Sequence, residues 1–551
     1  MNDLLHTPEG VRDIYNGEYS EKLRIEDSIH RVFAGAGYAD IQTPTFEYFN
    51  LFDSNIGTTP SKDLYRFTDR DGETVVLRSD FTPSIARCAA KYFMEEKGVL
   101  KFTYKGNTFS QTDELRGKLR ETTQMGVDVI GDSSTTADVE VIRLALEAIR
   151  SVSDKPVRVV ISDIEYFKGL CEEYSIPADI EMELRAYVTN KNFVAAGQYL
   201  NSCTIDGKPI PEETIDNILK LEDLIGDVDV LDKAVKLTDN PRSKAAIDRL
   251  RIIHNALSGS GLKECLSYDL SMLNKYTYYT GMVFKVYMPG VGDCVAKGGR
   301  YDNLLKEFGK DAPAIGFVIV IDDLLQAVMA NESKERDEYL TFALTKGRLA
   351  DKTLDLLEKI GMSCEEIKDK DTRKLIFVND KLKLRFFLAK GPDVPTYVEN
   401  GVADIGVVGK DTIIEEDRRV YEVLDLGFGK CRMCVCGPAE AKELLKHHEK
   451  IRVCTKYPVI AKDYFYNKKH QTVELIKLNG SVELGPIVGL GDVIVDIVET
   501  GSTLRENGLE VLEEIIPLSA RMIVNQVSMQ LKAGRIRELI RSIRELQDCE
   551  K

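Results

Sequence analysis

The chain has 551 residues, of which 43% are hydrophobic and 30% charged, and a formal net charge of −16. That length exceeds one hydrophobic core and predicts about three to four domains, while the ordinary apolar and charged fractions exclude a disordered or fibrous chain. The acidic balance argues against a broad nucleic-acid-binding face, which would be basic, but is compatible with a local basic pocket for a small phosphate ligand. The opening MNDLLHTPEGVRDIY lacks a basic segment followed by an apolar one, and no run approaches about 18 apolar residues. A cytoplasmic protein with no membrane partner is expected. Eleven cysteines scattered along the chain fit reduced thiols better than a disulfide framework.

In chain order, helical patterns at 18–34, 136–150 and 214–221 mix with short strands at 74–77, 102–105, 282–287 and 314–321, which predicts an α+β domain around an antiparallel sheet. Five segments of this half, PEGVRDI (8–14), LRSDFTPSIAR (77–87), QMGVDVIG (124–131), YYTG (278–281) and GGRYD (298–302), put small, acidic and aromatic residues at strand ends. Carboxylates and amide oxygens there suit an α-ammonium group, and tyrosines suit the faces of a flat ring. Each segment alone is more often a structural turn or packing position than a ligand site. The polar stretch at 331–338 reads as a linker, giving domains at 1–330 and 339–551.

Past the linker, strand-like runs at 339–344, 405–408, 432–435, 451–455 and 493–498 alternate with helices, an α/β pattern whose strands feed ligand loops at their C-terminal ends. LTKGRL (344–349) sets Lys346, the Gly347 backbone and Arg348 between a strand and a helix, an anion site that would suit pyrophosphate or a turn with solvated basic residues. A short helix at 393–401, with Pro395 near its start and Gly401 as its C-cap, precedes a buried strand that ends in the loop Gly409-Lys410-Asp411. Cys431, Cys434 and Cys436 lack the partners of a tetrahedral zinc set and read as strand thiols, and His447 and His448 as solvated side chains. DVIVDIV (492–498) is a buried strand, followed by Thr500, Gly501, Ser502 and Thr503 and a helical pattern at 505–514. Hydroxyls and consecutive backbone N–H groups at a helix start suit a phosphate dianion, and Asp496 and Glu499 suit vicinal sugar hydroxyls. The other reading of this loop is a capped turn without ligand.

ENGVADIGVVGKD (399–411) and DIVETGSTLRENG (496–508) together resemble the signature and the 5-phosphoribosyl 1-diphosphate loop of the catalytic subunit of ATP phosphoribosyltransferase, the first enzyme of histidine biosynthesis. The likeness runs over about 339–546 and resembles the short form of that family. It implies two lobes of periplasmic-binding-protein type II topology, 339–429 plus 518–551 and 430–517, closing on ATP and 5-phosphoribosyl 1-diphosphate. It also implies that Glu499, Thr500, Gly501, Ser502, Thr503 and Leu504 hold the 5-phosphate and ribose, with Asp496 near the sugar hydroxyls. Lys346 and Arg348 would steady the departing pyrophosphate, Lys390, Asp404 and Gly409 would serve the nucleotide, and Mg²⁺ would bind mainly through the substrate's pyrophosphate and hydroxyls. Adenine N1 attacks ribose C1 with its own lone pair, so positioning and charge neutralisation suffice and no Ser/His/Asp set is needed.

The five segments of the first half together resemble the catalytic core of histidyl-tRNA synthetase. That resemblance implies a six-stranded antiparallel sheet, a homo-oligomer (dimer or tetramer) and a histidine pocket made by Asp80, Thr82, Gln124, Asp128, Tyr278, Tyr279 and Tyr301. The departures matter. Ser110 stands where a class II synthetase needs an arginine on the α-phosphate of ATP, 316–324 carries acids in place of a second arginine, and Asn274 or a neighbour replaces a third. Adenylate formation should therefore fail, and with no anticodon-binding domain following, no tRNA partner is expected. The combination resembles the synthetase-like regulatory subunit of the two-chain transferases, fused here to its catalytic partner, with L-histidine as feedback inhibitor. The alternative is a non-catalytic two-lobed ligand sensor on a synthetase-like scaffold.

Overall fold

The computed structural model describes residues 3–52, 59–111, 117–273, 278–330, 338–368, 374–446 and 450–549. Residues 331–337 of the expected linker, Asn274, His447 and His448 lie outside them. The chain divides into two compact units, Met1–Glu332 and Ser333–Lys551.

The first unit is built on a nine-stranded sheet of β1 (Ala39–Asp40), β2 (Leu100–Phe109), β3 (Glu121–Ile130), β4 (Arg158–Asp163), β5 (Ile225–Gly226), β6 (Leu266–Asp269), β7 (Met282–Tyr287), β8 (Ala296–Arg300) and β9 (Ala314–Val320), in spatial order β1-β2-β3-β9-β8-β7-β4-β6-β5. The six neighbours from β2 to β4 are antiparallel throughout. The expected six-stranded sheet is present but extended, by β1 parallel to β2 on one side and by β6 parallel to β4, with β5, on the other. One face is covered by α1 (Asn16–Gly35), whose Ile25, Ile29 and Phe33 recur four apart and are fully buried. It packs beside α3 (Thr135–Arg150), which starts at the Ser134 cap, where the side chain accepts from Ala137 N at 3.3 Å. Between them in sequence, α2 (Thr82–Tyr92) belongs to a separate apolar cluster with Phe81, Tyr104 and Tyr301.

The second unit has two mixed sheets. Its strands are β10 (Leu340–Thr345), β11 (Ile376–Asn379), β12 (Leu384–Ala389), β13 (Ile405–Gly409), β14 (Tyr421–Asp425), β15 (Cys431–Gly437), β16 (Ile451–Thr455), β17 (Val473–Lys477), β18 (Val493–Val498), β19 (Glu510–Leu518) and β20 (Ala520–Val524). One sheet runs β11-β12-β10-β13-β20-β14 and the other β17-β16-β18-β15-β19. The chain crosses between the sheets twice, after β14 and between β19 and β20, and the two crossings pair, Leu426 N to Ala520 O and Ala520 N to Phe428 O, both at 2.9 Å.

One expected helix is corrected. Residues 510–514, read as the continuation of a helix, form the first half of β19, antiparallel to β15 with two bulges. The helix there is only α8 (Ser502–Glu506); Gly508, at φ 70°, turns the chain back into the sheet. Local polarity suggested a helix, but the pairing partner, about 80 residues upstream, decides the structure.

Candidate functional site

In the six-stranded sheet of the second unit, β10, β12 and β13 are parallel, so their C-terminal ends present three loops side by side. Lys346 N donates to Ala389 O at 3.0 Å and Thr345 Oγ1 to Val407 O at 2.9 Å, fastening these loops together. The first leads into α4 (Arg348–Lys359), the second, after Lys390, into α5 (Val394–Glu399), and the third, at Gly409, into α6 (Lys410–Glu416). Lys346, Arg348 and Lys390 are exposed. In the five-stranded sheet β16 and β18 are parallel; the end of β16 leads through Lys456 and Tyr457 into α7 (Pro458–Lys462), and the end of β18 through Glu499 and Thr500 into α8.

The β18 loop turns at Gly501, whose φ of 71° lies in the left-handed region that favours glycine. Thr500 Oγ1 and Ser502 Oγ are 3.1 Å apart, and both hydroxyls and that of Thr503 face solvent. Arg348 donates to Glu499 Oε2 at 3.1 Å, so the basic loop of one sheet meets the hydroxyl loop of the other. The structure thus brings Lys346, Arg348, Glu499, Thr500, Gly501, Ser502 and Thr503 into one region. Asp496 sits half-buried on β18; burial, helped by Glu483 and Asp411 and opposed by the Ile497 N–H and Lys456, pushes its carboxyl up to about 6. Cys431 is half-buried, and burial, aided by Asp411 and Glu499, raises its thiol to about 11.

Two predicted residues have other work. The Leu504 side chain is buried in the apolar cluster of Cys434, Cys436, Cys454 and Val498, leaving only its backbone for a ligand. Asp404 is corrected outright. It stands before β13, at the end of the parallel strands opposite the loops, and is 5% exposed. Its carboxylate accepts from Thr341 N at 2.7 Å, Ser528 Oγ at 2.6 Å and Lys532 Nζ at 2.9 Å, which leaves no capacity for a nucleotide. Gly409, by contrast, lies at the loop end, with the Asp411 carboxylate folded over it. Cys434 and Cys436 share one face of β15 and Cys431, with Met433 and Val435, the other; among the described residues no group of three or more His, Cys, Asp or Glu could hold a metal.

The first unit holds a pocket lined by Asp80, Thr82, Tyr278, Tyr279 and Tyr301, five of the seven predicted residues. Tyr278 stacks on Tyr279 at 4.5 Å and meets the edge of Tyr301 at 6.1 Å. Asp80 accepts from Thr82 N at 3.3 Å and from the Tyr278 hydroxyl at 3.4 Å. The sixth, Asp128, is not in the lining but contacts it: Tyr301 donates to one carboxylate oxygen, while the other is buried without a hydrogen-bond partner. Burial raises this carboxyl to about 7, against the Tyr301 hydrogen bond. Gly316 must be glycine, since a Cβ there would strike the Asp128 carboxylate. The seventh, Gln124, is on β3, not in the lining, and its buried Oε1 also has no partner. Orphaned buried acceptors of this kind ask for a donor from a ligand or water. Tyr104 and Lys297, not foreseen, also line it, with Gly299, Gly316, Phe317 and Val318; Tyr104 sits mid-strand, where nothing in its sequence neighbours marks it.

The synthetase departures are structural facts too. Ser110 donates its backbone N–H to Arg120 O at 3.0 Å, and Asp322, in the segment that needs an arginine, is 8% exposed and holds Lys22 at 2.8 Å and Thr123 N at 2.6 Å. The acid ties α1 to β3 and offers no cationic clamp.

A six-stranded antiparallel core with an acidic and aromatic pocket, and an α/β unit whose strand ends join basic and hydroxyl loops, define a class: a phosphoribosyl-transfer enzyme carrying a synthetase-like half. Residues 10–324 match the family model described as Histidyl-tRNA synthetase, and residues 390–545 the one described as ATP phosphoribosyltransferase. The chain is 72% identical over 209 residues to the ATP phosphoribosyltransferase of Lachnoclostridium phytofermentans, covering 38% of this chain and 97% of the relative. It is 30% identical over 413 residues to the ATP phosphoribosyltransferase regulatory subunit of Clostridium botulinum, covering 74% and 97%. A solved ATP phosphoribosyltransferase regulatory subunit/histidyl-tRNA synthetase from Bacillus halodurans matches at a TM-score of 0.55 and 25% identity, over 70% of this chain and 99% of that one. The chain belongs to the ATP phosphoribosyltransferase family and joins a catalytic part and a synthetase-like regulatory part in one polypeptide. No helix among the described residues is long and apolar enough to cross a membrane.

Proposed function

We propose that the second unit transfers the phosphoribosyl group of 5-phosphoribosyl 1-diphosphate to N1 of ATP, and that the first binds L-histidine and inhibits that reaction. The observation that carries the catalytic reading is the meeting of the two loops, Arg348 with Glu499 at 3.1 Å. In this reading the Thr500–Thr503 loop holds the 5-phosphate, and Asp496 and Glu499 accept from the ribose hydroxyls. Lys346 and Arg348 neutralise the diphosphate as the C1–O bond breaks, and Lys390 and Gly409 border the nucleotide. The lone pair of N1 forms the new bond to C1 with inversion. Holding the two substrates in line and neutralising the leaving group supply the rate. Mg²⁺ fits this set: the oxygen donors at hand, Asp496, Glu499 and the hydroxyls, suit a hard cation carried mainly by the diphosphate and water. When bound it withdraws charge from the departing diphosphate.

The two sheets and their paired crossings support a two-lobed arrangement of the periplasmic-binding-protein type, with lobes at 339–429 plus 518–551 and 430–517. For the regulatory reading, an ammonium and an imidazole N–H are the donors that Asp80, Asp128 and Gln124 call for, and the stacked tyrosines suit a flat ring. The protein acts in the cytoplasm as a homo-oligomer without tRNA. The catalytic reading is tested by diphosphate release that requires both ATP and 5-phosphoribosyl 1-diphosphate. It should fall by more than about tenfold in Glu499→Ala, the scale of a lost charged hydrogen bond; unchanged turnover in that variant would refute the assignment of the loop.

A further inference from the structure

Helix α6 (Lys410–Glu416) starts in the six-stranded sheet and ends against the other. Its Glu415 accepts from Val459 N at 3.1 Å and Ile460 N at 3.2 Å, capping α7, and Ile414 packs on the apolar cluster of the five-stranded sheet. Asp411 is four residues before Glu415 and so on the same helical face. Its carboxylate folds back over Gly409 and lies close enough to Lys456 and Tyr457, in the segment that precedes α7, to feel their charge. That segment is itself fixed, Tyr457 N donating to Thr455 Oγ1 at 2.8 Å and Thr455 Oγ1 to Val495 O at 2.7 Å. The charged and titratable groups that feel the Asp411 carboxylate are Lys456, Tyr457, Asp496 and Cys431, all on the five-stranded side. Asp411 is half-buried yet makes no salt bridge among the described residues, and its side-chain donor is Thr412 Oγ1 at 3.3 Å. The backbone N–H groups of Asp411 and Thr412 also bear on this carboxylate, which stays at the helix start without a counter-charge paired to it among the described residues.

The reaction leaves one acceptor role unfilled. Adenine N1 must keep its lone pair for C1, so no protein donor can occupy it. The neighbouring group on that edge of the base, the exocyclic amine, is a donor. As the N1–C1 bond forms and the diphosphate departs with the C1–O electron pair, no proton moves and one positive charge appears, shared between N1 and that amine. An anionic acceptor on the amine binds the base and gains strength as the charge develops, which is the condition for lowering the barrier. Asp496 and Glu499 are engaged by the sugar. We propose that Asp411 accepts a hydrogen bond from the exocyclic amine of the adenine base, selecting ATP and stabilising the cationic ring of the product. This rests on the active site lying in this cleft.

The test compares ATP with purine riboside triphosphate, which lacks the amine, in the full-length wild type, Asp411→Ala and Asp411→Asn, reading diphosphate release. In the wild type, loss of the amine should lower kcat/KM about ten- to a hundredfold beyond its effect in Asp411→Ala, the scale of a hydrogen bond to a charged group. Taking the ratio of ratios cancels the intrinsic reactivities of the two bases. Asp411→Asn, which keeps the shape and a neutral acceptor, should fall between, losing more in kcat than in KM for ATP. The KM for 5-phosphoribosyl 1-diphosphate should stay within about twofold, the range of an interaction not made. Equal discrimination in all three proteins overturns the proposal while leaving the active-site reading intact. A wild type that releases no diphosphate from ATP overturns both.

Discussion

Replacing Asp404 by Asn separates a structural carboxylate from a nucleotide ligand. The side chain is 7% exposed and joins β10, through Thr341 N at 2.7 Å, to the C-terminal helices, through Ser528 Oγ at 2.6 Å and Lys532 Nζ at 2.9 Å. Asn keeps one acceptor oxygen, but its amide faces a donor, and Lys532, only 16% exposed at its side chain, is left without a counter-charge. Breaking a buried ion pair from one side costs about 3–5 kcal/mol. For a unit of this size each kcal/mol moves the melting midpoint by about 2–4 °C, so the transition of the second unit should fall by roughly 6–20 °C. The two units need not melt together, so the transition is assigned by following ligand protection with 5-phosphoribosyl 1-diphosphate. At a temperature where the variant is folded, KM for ATP should change by less than about twofold. An unchanged midpoint with a raised KM for ATP would refute the structural role and restore Asp404 to the nucleotide site.

Three further outcomes follow from the same geometry. Burial lifts Asp496 to about 6, so its anion is lost as pH falls through 6, above the ordinary carboxylate range; kcat/KM for 5-phosphoribosyl 1-diphosphate should decline on that limb, and Asp496→Asn should lower activity and shift or abolish the limb. Asp128→Asn should raise the histidine concentration for half-inhibition by more than about tenfold, since a charged acceptor is lost, with uninhibited turnover unchanged in a diphosphate-release assay. In the first unit, Lys191 holds Asp269 at 2.6 and 2.7 Å with both side chains almost fully buried; Lys191→Met should destabilise by about 3–5 kcal/mol in denaturant titration, and the double change with Asp269→Leu by much less.

Much of this organisation was legible because it is local. The β-branched runs at 405–408 and 493–498 are buried strands, and glycine, threonine and serine after the second mark a tight turn into a helix, though not that the helix stops at Glu506. Roles fixed by distant partners were hidden. Asp404 reads as part of a signature, yet its partners Ser528 and Lys532 lie 124 and 128 residues away. Strand β19 looks helical until β15 pairs with it, and Tyr104 enters the pocket only because β2 lies beside β3. Asp411 closed a motif already in view, but its bearing depends on Glu415 reaching across to α7. Five of the seven predicted pocket residues line one pocket, because they sit near strand ends that converge in a sheet of this order; Gln124 and Asp128, within β3, are not in that lining.

The central claim is that one chain catalyses and senses. It is tested most directly by measuring phosphoribosyl-ATP formation from ATP, Mg²⁺ and 5-phosphoribosyl 1-diphosphate across an L-histidine titration, with Asp128→Asn in parallel. The account predicts turnover that falls as histidine rises in the wild type and persists in the variant. Turnover indifferent to histidine in both would contradict the sensing half, and no turnover in either would contradict the catalytic one.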